Sequence, residues 1–145
     1  MRGNLYGKMT LKDYLNDSDR FAASNGIRLT DIQTGFATAE MTVSDKHLNA
    51  AGVCQGGAVF TLADLAMAAA FNSGRQLTVG IQNSVSFLQS ALKGDVLTAE
   101  AQVVFDHKKI PFVNATVRRQ DGEIVAVMTG QGYKKRDEIK FDTLI

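Results

Sequence analysis

The sequence predicts an α+β domain in which a curved antiparallel β-sheet wraps around one long, buried helix. Residues 57–72 are apolar on every side and rich in alanine, with two leucines and one methionine, all of which favour helices. A helix that is apolar all round is a buried helix. Segments with the composition of β-strands precede and follow it, and a sheet folded around the helix is the simplest cover.

The part of the chain before the long helix is expected to hold an N-terminal helical segment, residues 1–26, and a β-hairpin. Thr10 is a suitable N-cap, and Asp13 completes a capping-box-like pattern. Gly26 is expected to end this segment. Residues 27–34 and 36–43 then form two strands around Gly35, because side chains in the second strand alternate with period two.

The part after the long helix is expected to begin with a left-handed Gly74 and to continue as four antiparallel strands. Turn signals bound these strands, which span residues 77–88, 95–106, 111–119 and 123–133. In the first of them, Asn83 is the only polar member of the face formed by Val79, Ile81, Val85 and Phe87. The charged tail, residues 134–145, is expected to fray or to pack late.

Composition limits the class of protein. A chain of 145 residues is enough for one domain with a real core, and a net charge of +1 gives no electrostatic footprint for nucleic acid. Cys54 is the only cysteine, so no internal disulfide can form. Residues 1–8 lack an apolar run of the signal-peptide type, and the apolar stretch 58–71 is shorter than the ~20 residues that span a bilayer. We therefore expect a single-domain, soluble, cytoplasmic protein that binds neither nucleic acid nor membrane.

The candidate site lies where a polar, glycine-rich loop enters the long helix. Asp64 is the only ionisable residue of that helix. A carboxylate on a buried helix is costly unless it is used, so the chemistry is expected here. The alternative is a carboxylate exposed at a gap in the sheet or paired with an arginine. With two histidines and one cysteine in the chain, a zinc site is not expected.

This loop and helix resemble the hotdog-fold thioesterases of the phenylacetate-pathway (PaaI-like) type. The matching pattern is His47-x-Asn49-x-x-Gly52-x-x-x-Gly56-Gly57-x-x-x-x-Leu62-x-Asp64, and the resemblance covers about residues 27–133. It implies one hotdog domain over residues 1–145 and hydrolysis of acyl-coenzyme A thioesters by dimers or dimers of dimers. It also implies no cofactor, since coenzyme A is part of the substrate. Relatives usually carry a histidine at the position of Gln55, whose amide cannot act as a base.

The residues of the motif fit the steps of thioester hydrolysis. Asp64 is a candidate general base or direct nucleophile, and burial would raise its pKa. Backbone N–H groups at a helix start can polarise a carbonyl, and in the resembling family the first glycine of the pair, here Gly56, donates that N–H. Asn49 is a candidate to bond the carbonyl or to hold water. The candidates for substrate binding are Gln55, Gly57, Asn83 and Ser84.

The spacing of these groups predicts an assembly. Gly56 and Asp64 are eight residues apart in the chain, which is about 12 Å along a helix. One thioester carbon needs both groups at about 3–3.5 Å. Two antiparallel copies of the helix would bring Gly56 of one chain against Asp64 of the other, so we expect composite sites at a twofold interface.

Three questions stay open at the level of sequence. The basic residues 107–109 and 134–136, or Arg75, are either solvated charges or a site for the phosphates of the coenzyme. The same fold could also serve as a non-catalytic dimer that binds acyl-coenzyme A or another acyl ligand. Asn83 either lines the site or satisfies a buried backbone group.

Overall fold

The computed structural model describes residues 9–145. Residues 1–8 lie outside the described residues; they include the start of the expected N-terminal helical segment and the stretch without a signal-peptide pattern. The helices are α1 (Leu11–Ser18), α2 (Arg20–Ser24) and α3 (Gly56–Asn72), with a 3₁₀ turn at Asp45–His47. The strands are β1 (Arg28–Gln33), β2 (Phe36–Thr42), β3 (Gln76–Phe87), β4 (Val96–Phe105), β5 (Phe112–Arg118) and β6 (Ile124–Glu138).

The six strands form one antiparallel sheet around α3, which confirms the predicted α+β architecture. The strand order is β1-β2-β4-β5-β6-β3, and α3 contacts all six strands. Alanines at paired positions of β2 and β4 are fully buried, namely Ala37 with Ala101 and Ala39 with Ala99. Their short side chains let the helix lie close to the middle of the sheet, which fixes the depth of every group on α3.

The helix cap and the glycine turns before α3 agree with the sequence prediction. The Thr10 hydroxyl accepts a hydrogen bond from the Asp13 N–H at 3.0 Å and caps α1. Gly26 and Gly35 have φ of +68° and +73°, so each sits where a side chain would strain the backbone. No helix of the described residues is long and apolar enough to cross a bilayer.

The end of α3 differs from the prediction. The left-handed residue is Arg75, with φ of 74°, and not Gly74. The Arg75 guanidinium lies 4.2 Å from the centre of the Phe141 ring and donates to the Phe141 carbonyl. These contacts offset the strain of a left-handed arginine.

The charged tail does not fray in the structure. Strand β6 continues through Glu138, which pairs with Gln76 of β3. Beyond it, Phe141 is buried at 7% exposure, and the Thr143 carbonyl accepts a hydrogen bond from the Leu11 N–H at 2.9 Å. The tail is more ordered than its charges predict, because the Phe141 side chain is buried and backbone hydrogen bonds join the tail to β3 and to α1.

Strand β3 forms an edge of the sheet and contains a β-bulge. Gly80 pairs with Gly132 and Gln82 pairs with Gln131, so Ile81 is the extra residue. The bulge reverses which residues of the strand face α3. Thr78 before it and Asn83 after it both face the helix, whereas Val79 faces outward. The predicted single face of β3 is therefore wrong for Val79.

Candidate functional site

Asn49 closes the loop that leads into α3. Its side-chain Oδ1 accepts hydrogen bonds from the N–H of Ala51 at 2.9 Å and of Val53 at 3.3 Å. Its backbone N–H donates to the Val53 carbonyl at 2.8 Å. The oxygen is thus used within the loop, while the amide Nδ2 makes no hydrogen bond to a described residue and remains a donor for a ligand.

Gln55 and Gly57 form the cap of α3. Gln55 has φ of −65° and ψ of 137°, and its Oε1 accepts a hydrogen bond from the Gly57 N–H at 2.8 Å. A Cβ at position 57 would lie 2.5 Å from that oxygen, so a larger residue there would displace the capping amide. Both residues are predicted substrate contacts, and the structure shows them holding the helix start.

Gly56, the first residue of α3, keeps a free N–H. The N–H forms no hydrogen bond with any described residue, in contrast to that of Gly57. It lies at the positive end of the helix dipole, where a partial negative charge is favoured. The structure therefore leaves one backbone donor open at the predicted position.

A ring and a cavity lie beside Gly56. A Cβ at position 56 would be 2.9 Å from Cζ of Phe87, so the ring lies directly over the glycine. The adjoining open cavity has a volume of about 290 Å³ and is lined by both apolar and polar groups, among them Cys54, Val59, Phe87, Gln89 and Ser90. The sequence pattern predicts an apolar face that includes Phe87 but gives no sign of its contact with Gly56.

Asp64 is exposed in the single chain, so its predicted burial on all sides is wrong. The sheet leaves a stripe of α3 uncovered at helical spacing: Gly57, Thr61, Asp64 and Ala68. Nevertheless, the surrounding protein removes enough water from the carboxyl to raise its pKa above the usual aspartate value. A hydrogen bond from Asn83 lowers this pKa, and the negative charge of Asp19 raises it.

Asn83 reaches Asp64 from β3, and Ser84 does not. The Asn83 Nδ2 donates to Asp64 Oδ1 at 3.4 Å. Ser84 is the next residue of the strand, is exposed and pairs with the exposed Thr129. Because neighbouring strand residues point to opposite faces, Ser84 faces away from α3. The structure brings only one of these two predicted contacts to the carboxylate.

His47 is a structural residue of the loop that leads into α3. It is 4% exposed, and its Nδ1 accepts a hydrogen bond from the Ser44 N–H at 2.9 Å. Its Nε2 then donates to the Asn25 carbonyl at 2.6 Å. Both ring nitrogens are used, so the ring ties the loop to the end of α2.

The cations proposed for coenzyme phosphates differ in their availability. Arg75 is engaged with the tail, and Lys134 forms an ion pair with Asp106 at 2.5 Å. The Lys134 N–H donates to the Lys109 carbonyl at 2.9 Å, so the two basic segments lie side by side. Within residues 9–145, no three His, Cys, Asp or Glu side chains are grouped to hold a metal ion.

Gly56 and Asp64 do not meet within one chain. They lie at the first and ninth residues of the same helix, about 12 Å apart along its axis. Each has its own neighbour on β3, Phe87 for Gly56 and Asn83 for Asp64. The single chain thus holds two separated halves of the predicted constellation.

Comparison with known proteins gives matches in sequence and in structure. Residues 51–126 match the model of the thioesterase superfamily. The acyl-coenzyme A thioesterase PaaI of Escherichia coli K12 is 34% identical over 118 residues, which is 81% of this chain and 84% of that protein.

Solved structures extend the match to the fold. The structure of the E. coli PaaI protein, from the phenylacetic acid degradation operon, superimposes with a TM-score of 0.85 at 32% identity, over 88% of this chain and 93% of that one. A Streptococcus mutans UA159 protein solved with bound acetyl-coenzyme A gives a TM-score of 0.73 at 28% identity, over 79% of this chain and 91% of that one.

Proposed function

Because the chain belongs to the thioesterase superfamily and has its hotdog fold, we propose that it hydrolyses acyl-coenzyme A thioesters to the free acid and coenzyme A. The family resemblance read from the sequence is confirmed by these matches. The observation that most supports a hydrolytic function is the presence, on one helix, of an open N–H at Gly56 and a carboxylate of raised pKa at Asp64. The substrate class follows from the similarity to the acyl-coenzyme A thioesterase PaaI.

In this reaction, Gly56 polarises the thioester. Its N–H, at the start of α3, hydrogen-bonds the carbonyl oxygen as negative charge develops there. Asn49 supplies a second donor through its free Nδ2. The cavity of about 290 Å³ beside Phe87 takes up the acyl group. Gln55 and Gly57 hold the helix start in the orientation that this contact needs.

Asp64 supplies the attack on the carbonyl carbon. As a general base it takes a proton from water while the oxygen–carbon bond forms; as a nucleophile it forms an anhydride that water then opens. In both cases the carbon–sulfur bond breaks, and the thiolate of coenzyme A leaves and gains a proton. No metal or organic cofactor enters this scheme.

The reaction requires two chains. Two features support a twofold assembly: the uncovered stripe of α3 around Asp64, and the edge strand β3 with its exposed apolar side chains. Ile81 is 54%, Phe87 52% and the adjoining Leu88 56% exposed in the single chain. Two antiparallel copies of α3 would place Asp64 of each chain near Gly56 of the other. Pairing of such dimers into tetramers is part of the same proposal.

Release of thiol from a panel of short, long and aromatic acyl-coenzyme A esters tests the activity. The wild type is expected to release thiol from at least one class of ester, and Asp64→Asn to lose 100-fold or more of kcat, about the contribution of a general base. Asp17→Asn, a neutral amide at an exposed position of α1, is the matched control and is expected to keep full activity.

Two results would contradict the proposal. Near wild-type turnover by Asp64→Asn would exclude the role of the carboxylate. Thermal stabilisation of the wild type by coenzyme A esters, with no thiol released from any of them, would instead identify a non-catalytic acyl-ligand binder.

A further inference from the structure

The Asn83 side chain occupies a notch between β6 and α3. Asn83 pairs with Gly130 of β6, and both residues face the helix. A Cβ at position 130 would overlap Asn83 Oδ1 and would lie 2.6 Å from the Cε of Met67. A side chain at position 130 would have to displace the amide or the end of Met67, so Gly130 and Asn83 form a fitted pair.

The two ends of this amide have opposite surroundings. Oδ1 is buried and has no hydrogen-bond partner among the described residues. Nδ2 points the other way and donates to Asp64 Oδ1 at 3.4 Å. Turning the amide over would set an oxygen against a carboxylate and bury two donors beside Met67. The environment therefore fixes the donor end on Asp64.

A buried acceptor without a partner is destabilising, and an apolar side chain of similar size would avoid this cost. The only polar contact that Asn83 makes with a described side chain is the one to Asp64. Asparagine at this position is therefore unfavourable for packing alone and is explained by what its Nδ2 does.

We propose that Asn83 is a positioning residue, held by the Gly130 notch, that orients the Asp64 carboxylate by binding one of its oxygens and leaves the other free for water or substrate. This inference rests on the proposed function, because it assigns Asn83 a task only if Asp64 reacts. It differs from a substrate contact, since the amide acts through the carboxylate.

The positioning role predicts the direction in which the pKa of Asp64 changes when Asn83 is replaced. Loss of hydration and the negative charge of Asp19, the N-cap of α2, raise the pKa of Asp64, and the Asn83 hydrogen bond opposes them. Removing the amide removes the opposing influence. The acidic limb of kcat/KM, which follows deprotonation of Asp64, would then move to higher pH.

The test compares pH profiles of kcat/KM on the preferred acyl-coenzyme A ester. Asn83→Leu is expected to lose about tenfold in kcat/KM, the value of a hydrogen bond to a charged group, and to move the acidic limb upward. Its Tm is expected to equal or exceed that of the wild type. Gly130→Ala, which displaces the amide without removing a polar group, is expected to change the profile in the same direction.

Matched controls separate this inference from the proposed function. Asn114→Leu makes the same substitution at an exposed position of β5 and is expected to leave the profile unchanged. If Asn83→Leu does not fold, Asn83→Ala, which only deletes atoms, replaces it. An inactive Asp64→Asn together with wild-type acidic limbs for the Asn83 and Gly130 variants would overturn the positioning role alone. Full activity of Asp64→Asn would overturn both proposals.

Discussion

At the scale of single residues, the carboxyl group of Asp64 is under two opposing influences. Partial loss of hydration raises its pKa, and the Asn83 amide lowers it, with the first influence the larger. An aspartate with a raised pKa is a stronger base than a fully hydrated one. The same balance makes the folded state sensitive to the ionisation of Asp64.

Asp64→Asn is expected to raise the Tm at neutral pH. The folded-state pKa of Asp64 lies above its unfolded value, so between the two values the folded chain binds more protons. Stability therefore falls as pH rises through this window, and above it the folded wild type is penalised for its charge. The asparagine variant escapes this penalty.

Thermal melts of both proteins across pH measure this effect. The difference in Tm should be present at neutral pH and should vanish below the unfolded pKa of aspartate, where both side chains are neutral. A variant that is less stable than the wild type at pH 7 would show that Asp64 instead makes a stabilising contact.

At the scale of elements, the start of α3 depends on its cap. Gln55→Ala is expected to lower the free energy of unfolding by about 0.5–2 kcal/mol, because the Gly57 N–H loses its acceptor. Chemical denaturation at fixed protein concentration measures the change. Gln33→Ala, at an exposed position of β1, is the control; an equal effect of both substitutions would refute the capping role.

Much of the fold follows from the sequence at this scale, and the site follows only in part. The apolar segment gave the long helix, and Gly26, Gly35 and the turn signals gave the order of the elements. The neighbours of Gly56 and Asp64 could not be predicted, because they depend on which strand lies along the helix. Gly80, Gly130 and Gly132, three glycines within strands, were the available signals of a bulge and of close packing.

At the scale of the whole molecule, two inactive chains are expected to restore each other. Gly56→Pro removes the open N–H at the first helical position, where the helix backbone accepts proline, and Gln55 already has the extended backbone that precedes a proline. The added side-chain atoms require the exposed Phe87 ring, which lies over Gly56, to move aside. In a mixed dimer of one Gly56→Pro chain and one Asp64→Asn chain, one composite site would hold both substitutions and the other would hold neither.

Unfolding and refolding an equal mixture of the two variants measures this complementation. About a quarter of wild-type activity is expected, since about half of the dimers are mixed and each has one intact site. The separate variants, treated in the same way, are the controls. A mixture no more active than its components would show that each site is formed within one chain.

The extra residue in β3 links the two halves of the site. If the strand paired regularly from Gly80 onward, Gln82 would lie opposite Gly130, and the side chains of Asn83 and Phe87 would turn to the outer surface. A shift of one residue in the pairing would thus remove Asn83 from Asp64 and Phe87 from Gly56 at the same time. The contact of Asn83 with Asp64 and the contact of Phe87 with Gly56 therefore both depend on the backbone shape at Ile81.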